Sequence, residues 1–318
     1  MVSSISKKRI LITGATGFIG ANLLRRLLDL GCRPHISLRR SSDTWRITGI
    51  LNKVKPHYFD LSNREATFKA VCRIKPQVIY HCATYGGYSF QDDYASIMRI
   101  NVAGTSNLLD ACLENGFYCF INTGSSSEYG LKNRPMREDD LLDPVSEYGA
   151  AKAAATLFCQ AKAGKYKLPV ITLRLFSPYG PYEDSRRLVA SLIFSCLKNR
   201  APALSSARPV RDFVFIEDVL GAYVKATARI NKISGEIINI GSGRQYSIGE
   251  MTAKVIKLAD AGVKPRWGVI DNPLREPLFW RADISKAERL LGWHPAHNID
   301  EGLEKTICWF RKNFKIYG

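Results

Sequence analysis

Through the first half of the chain, short solid apolar runs alternate with stretches in which apolar residues recur every three to four positions. The solid runs are Arg9-Ile-Leu-Ile-Thr13, Pro34-His-Ile-Ser-Leu38, Lys55-Pro-His-Tyr-Phe59, Gln77-Val-Ile-Tyr-His-Cys-Ala83 and Phe117-Tyr-Cys-Phe-Ile-Asn122. Runs of this length without polar alternation predict strands buried on both faces, as a parallel sheet requires. The periodic stretches predict helices over residues 21–30, ending at Gly31, over residues 96–113, and over residues 148–166, a segment rich in Ala, Lys and Gln. Strands alternating with helices predict an α/β fold with a doubly wound parallel sheet, which binds ligands beyond the carboxyl ends of its strands.

The first of those ends carries glycines. Gly14-Ala-Thr16-Gly17-Phe18-Ile19-Gly20 joins the first strand to the first helix. Strand, glycine turn and helix together define a dinucleotide site: the early glycines let the backbone approach a pyrophosphate, and the last lets the helix pack closely. The second strand ends in Arg39-Arg40-Ser41-Ser42, where an NAD site usually has a carboxylate for the ribose. Two guanidiniums and two hydroxyls suit a 2′-phosphate, so NADP(H) is the expected cofactor, with NAD(H) left open. The competing reading makes the arginines a solvated loop and gives the ribose to Asp43. Asp60, with Leu61 after it, ends the third strand and is placed for the adenine amino group; Ala83 ends the fourth.

Tyr148 and Lys152 stand four residues apart at the start of a helix, so their side chains share a face. An ammonium beside a phenol stabilises the phenolate, as a tyrosine acid/base needs. The spacing alone is common and, in isolation, reads as a surface pair. A second cluster supports the chemical reading: Ser125, Ser126 and Ser127 follow the fifth strand, where hydroxyls face a ligand or merely cap backbone.

Composition narrows the classes. The 318 residues are 46% hydrophobic and 24% charged, an ordinary globular balance. No apolar run reaches the ~18 residues of a membrane span, and the polar start, Met1 to Arg9, does not read as a signal peptide. Eight scattered cysteines without a C-x-x-C pair fit reduced thiols in the cytoplasm rather than disulfides, and no metal site is expected. The net charge of +17 is spread along the chain without a binding motif, so no nucleic-acid partner is expected; a polyanionic small ligand or general surface charge remains.

These motifs, in this order, resemble the extended short-chain dehydrogenase/reductases that act on nucleotide sugars. The later segments agree: Leu173-Arg-Leu-Phe-Ser-Pro-Tyr-Gly-Pro181, Arg211-Asp-Phe-Val-Phe-Ile-Glu-Asp218, Asn239-Ile-Gly-Ser-Gly243 and Asp283 to Trp293. The resemblance implies a Rossmann-type domain over residues 1–176 and 211–240. It implies a smaller α/β lobe over residues 177–210 and 241–318, with a nucleotide-diphosphate sugar between the two and a homodimer as the assembly. Ser125 would hydrogen-bond the sugar oxygen, Tyr148 would exchange its proton, and Lys152 would hold the nicotinamide ribose. Ser126, Ser127 and Ser177 would face the sugar, Arg211 and Arg275 the diphosphate, and Asn101 would be structural. Ser177 replaces an asparagine frequent in the family, so the contact there differs.

The resemblance also separates reactions. Related 4,6-dehydratases carry an Asp-Glu pair after the active-site threonine; here Ser126 and Ser127 follow Ser125, with Glu128 displaced by one. Dehydration is therefore disfavoured. A 4-keto(-6-deoxy) sugar reductase and a 4-epimerase remain, with a non-catalytic NADP-binding regulator as the distant third. The Arg39-Arg40 end and the similarity of residues 125–130 to reductases favour the reductase; the intact Ser125, Tyr148 and Lys152 speak against the regulator. Residues 85–94 and 183–187 are the loops expected to set sugar choice.

Overall fold

Alternate residues of the central strands feed two separate cores. In β1 (Ile10–Thr13), Ile10 and Ile12 join one apolar cluster while Leu11 joins the other. The same split divides Cys119 and Ile121 from Phe120 in β5 (Cys119–Ser125). A strand that buries both faces must have helices on both sides, which is the physical content of the solid apolar runs.

The computed structural model describes residues 5–88, 90–270 and 276–317. Seven parallel strands form the sheet. Besides β1 and β5 they are β2 (His35–Leu38), β3 (Lys55–Tyr58), β4 (Val78–His81), β6 (Val170–Leu175) and β11 (Ile237–Ile240), in the order β11-β6-β5-β4-β1-β2-β3. The order reverses between β1 and β4, the crevice where such sheets bind ligands. Helices Phe18–Asp29 and Ile216–Ile233 cover one face, and Arg64–Ile74, Gly104–Asn115 and Glu147–Tyr166 cover the other.

The remaining strands are short pairs: β7 (Ser177–Tyr179) with β10 (Phe213–Phe215), β8 (Ala203–Leu204) with β13 (Arg266–Trp267), and β9 (Val210–Arg211) with β12 (Tyr246–Ser247). They stand beyond the sheet with helices Leu188–Leu197, Ile248–Leu258 and Ile299–Asn313. Asp212, fully buried between β9 and β10, ties this region together. Its carboxylate accepts from the amides of Ser242, Gly243 and Ala282 and from the Ser242 hydroxyl. Among the described residues no helix is long and apolar enough to cross a membrane.

Two elements differ from the pattern reading. The fifth strand starts later and runs on to Ser125, because Thr123, Gly124 and Ser125 pair with Leu173, Arg174 and Leu175 of β6. The helix expected over residues 96–113 contains a π-helical turn, Arg99–Ala103, between Tyr94–Met98 and Gly104–Asn115. At that wider turn the buried Asn101 reaches out of the helix: its amide donates to Tyr85 O (2.6 Å), and its Oδ1 accepts from Tyr85 N and the Thr84 hydroxyl. Such turns recur at functional sites.

Candidate active site

Helix Glu147–Tyr166 is started by Ser146, whose hydroxyl accepts from Gly149 N at 3.1 Å. Gly149 is needed there: a Cβ would stand 2.5 Å from Ser127 O. The helix start therefore lies directly on the serine turn. The Tyr148 ring, partly exposed, lies against the backbone of Gly86 and Gly87, the loop that Asn101 pins. One turn on, Lys152 is 3% exposed and has no hydrogen bond or ion pair among the described residues. Its stem is packed away while the ammonium is left without a hydrogen-bonding partner among the described residues, an arrangement open to a ligand.

Beneath it, His81 shares hydrogen bonds with Thr13 (2.7 Å) and Thr105 (2.8 Å). Burial first and the Lys152 charge second push its imidazole down to about 3, so it stays neutral and links β1 to helix Gly104–Asn115 as a hydrogen-bonding group.

The three serines separate. Ser125 ends β5 and caps a short 3-10 turn, with its Oγ accepting from Ser127 N at 3.2 Å, which leaves its hydroxyl proton to donate. Ser127 is partly exposed beside it. Ser126 is buried, and its oxygen accepts from Trp280 Nε1 at 3.2 Å, so it ties the serine turn to the Trp280 segment rather than facing outward as expected.

Glu128, which spacing placed as a displaced carboxylate, is fully buried under the turn. It accepts from Ser125 N (2.7 Å), Arg174 Nε (2.7 Å) and the Thr156 hydroxyl (3.1 Å). Burial alone would lower the Arg174 pKa, but the Glu128 charge and Tyr129 outweigh it and hold the guanidinium above its ordinary range.

The glycine turn has the shape a pyrophosphate needs. Gly14 adopts φ +69°, and a Cβ there would stand 2.5 Å from Ala83 N; a Cβ on Gly20 would stand 2.2 Å from Gly14 O. Gly17 is the N-cap of helix Phe18–Asp29 and no side chain caps it, so its first amides are free for an anion. Thr16 is partly exposed at the turn, and Phe18 and Ile19 pack on the core behind it.

At the end of β2, Arg39, Arg40 and Ser41 are exposed, Arg39 N donates to Ser42 Oγ, and Asp43 accepts from Trp45 N. Asp60 accepts twice from Ser62 at 2.8 Å. Burial works against its charge, yet these bonds and the Arg39 and Arg99 charges hold its carboxyl below the usual range. Leu61 is buried, with its carbonyl held by Asn107.

On the other wall, Ser177 is partly exposed and its amide donates to Asp212 O. Arg211 pairs with Glu276 and lies over Trp280. Arg275 lies outside the described residues. Arg46 escaped the sequence reading, and Glu183, in a loop expected to set sugar choice, is buried instead of facing a ligand; both sit in polar loops and only tertiary packing buries them. Among the described residues no cluster suits a metal ion.

Glu183 Oε2 has no hydrogen-bond partner. Burial pushes its carboxyl up to about 8, against the pull of Arg187 and Arg46 and with the push of Asp184. A carboxyl that holds its proton more tightly when folded stabilises the protein at low pH. That stability is lost as pH rises from the unfolded value towards 8. Melting temperature should therefore fall by roughly 5 °C between pH 5 and pH 8 through this group, and Glu183→Gln should flatten that slope. Parallel wild-type and variant profiles would refute the assignment.

With this geometry in place, the comparisons with known proteins give the class. The chain belongs to the NAD dependent epimerase/dehydratase family, whose model matches residues 10–241. It is 29% identical over 324 residues to the UDP-glucose 4-epimerase of Mycolicibacterium smegmatis, covering 95% of this chain and 98% of that one. It is 26% identical to the dTDP-glucose 4,6-dehydratase of Streptomyces griseus, covering 96% and 94%. Among solved structures, the UDP-glucuronic acid 4-epimerase from Bacillus cereus in complex with UDP-glucuronic acid and NAD superposes with a TM-score of 0.86, at 27% identity over 96% of this chain and 99% of that one.

Proposed function

We propose that this protein catalyses oxidoreduction at C4 of a nucleotide-diphosphate sugar. The observation that carries the reading is Lys152, buried along its stem and hydrogen-bonded to no described residue, one helical turn from Tyr148, with the Ser125 turn packed against the same helix start. The glycine cradle and the uncapped helix start fit a dinucleotide, which would supply hydride exchange at the sugar carbon. Tyr148 moves the proton at the C4 oxygen, Ser125 donates a hydrogen bond to that oxygen as charge develops on it, and Lys152 holds the ribose hydroxyls. Loss of water at C6 has no acid or base here: Ser126 and Ser127 carry no carboxylate, and Glu128 is buried under Arg174.

Between the two finer reactions, a 4-epimerase with retained NAD(H) is favoured, because two relatives of near-full-length coverage are described as 4-epimerases. A 4-keto sugar reductase using NADPH has one observation in its favour, the exposed Arg39 and Arg40 at the end of β2.

One preparation separates them. Protein purified without added cofactor, then denatured, should release NAD(H), and the intact protein should interconvert UDP-glucose and UDP-galactose or another C4 pair. An empty protein that consumes NADPH only with a 4-keto sugar makes it the reductase. Neither behaviour across a panel of nucleotide sugars would sink the proposal.

A further inference from the structure

One buried arginine joins the glycine turn to the turn at 181–184. Arg46 is 8% exposed, its Nε donates to Tyr182 O at 2.8 Å, and its Nη1 donates to Thr16 O, in the glycine turn, at 3.3 Å. Its Nη2 lies 3.8 Å from Asp184 Oδ2 and makes no hydrogen bond. Trp45 stacks against the guanidinium, and Arg25 fixes the Arg46 carbonyl while lying over the Tyr182 ring.

The turn it holds is an unusual one. Tyr182 adopts φ +66°, a left-handed conformation that a tyrosine keeps only when its surroundings impose it. Asn22, from the helix after the glycine turn, donates to the preceding carbonyl of Pro181. Two backbone carbonyls from segments far apart in sequence thus depend on one rigid fork of donors, which a lysine cannot span.

We propose that Arg46 is a positioning residue through which dinucleotide binding at the glycine turn orders the 181–184 turn on the sugar side. This rests on the dinucleotide reading given above. Two turns that share one side chain share the entropic cost of being ordered, so a ligand that fixes the first lowers the cost of fixing the second.

Hydrogen exchange of the full-length protein, freed of any retained nucleotide and measured with and without saturating NAD+, tests it. In the wild type, amides of residues 14–20 and 182–187 should both slow, by at least about tenfold. In Arg46→Met the first set should stay protected and the second should exchange as it does without ligand. Arg46→Lys, which keeps the charge and reaches one carbonyl, should give intermediate protection and serves if the methionine variant does not fold. Full protection of 182–187 in the variants overturns the inference, even if their melting temperatures drop. So does wild-type protection confined to 14–20. If NAD+ protects neither segment in the wild type, the dinucleotide reading itself fails and the coupling falls with it.

Discussion

Tyr148→Phe is expected to lower turnover by roughly 10³-fold while dinucleotide affinity stays within about threefold of wild type. The ring rests against Gly86 and Gly87, and phenylalanine fills the same space. Ser146 still caps the helix and Lys152 still lies one turn on, so only the proton carrier is lost. The loss should therefore sit in kcat, because the missing hydroxyl matters most where charge develops on the sugar oxygen. Steady-state kinetics beside a cofactor titration will show it. Turnover within tenfold of wild type would remove Tyr148 from the chemistry, and a collapse of cofactor binding would mean that the residue holds the site's shape instead.

Glu128→Ala is expected to cost about 3–5 kcal/mol of stability, because it leaves the fully buried Arg174 guanidinium without its counter-charge. Arg174 Nη1 already lacks a hydrogen-bond partner, so no spare acceptor is at hand to compensate. The same substitution strips the acceptor from Ser125 N and from Thr156, and so loosens the turn that presents the Ser125 hydroxyl. Activity should fall even in the fraction that folds. Removing both charges together, as Glu128→Leu with Arg174→Met, is expected to recover part of the stability but not the serine geometry. Denaturant titrations of the two variants decide the matter. A loss under about 1 kcal/mol for Glu128→Ala would show that the pair is held open to water.

The sheet and the Tyr148–Lys152 helix were legible in the sequence because both rest on short-range regularities. Solid apolar strands need only neighbours of their own kind, and a four-residue spacing places two side chains on one face whatever lies opposite. The glycines were legible for a related reason: at Gly14 and Gly20 any side chain would strike backbone.

Arg46 was hidden because nothing local marks it. It stands in a basic, polar loop, and the carbonyl that it holds belongs to a residue 136 positions away. Glu128 was visible as a carboxylate one place out of register, yet its task depends on Arg174 from the next strand. Pattern alone also ended the fifth strand at Asn122; the last three residues are strand because β6 pairs with them, and that pairing sets where Ser125 stands.

The sheet's edge has a consequence for how the chain is made. β6 is buried along its whole length, and its outer partner β11 follows sixty-odd residues later in the chain, after the short strand pairs and helices that stand beyond the sheet. During synthesis, a chain halted before Ile237 carries Val170, Ile171, Leu173 and Leu175 on an unprotected strand border, the kind of border on which chains stick to one another. Inserting residues 176–236 between the last two strands at the sheet's edge thus leaves that border open to aggregation until β11 arrives.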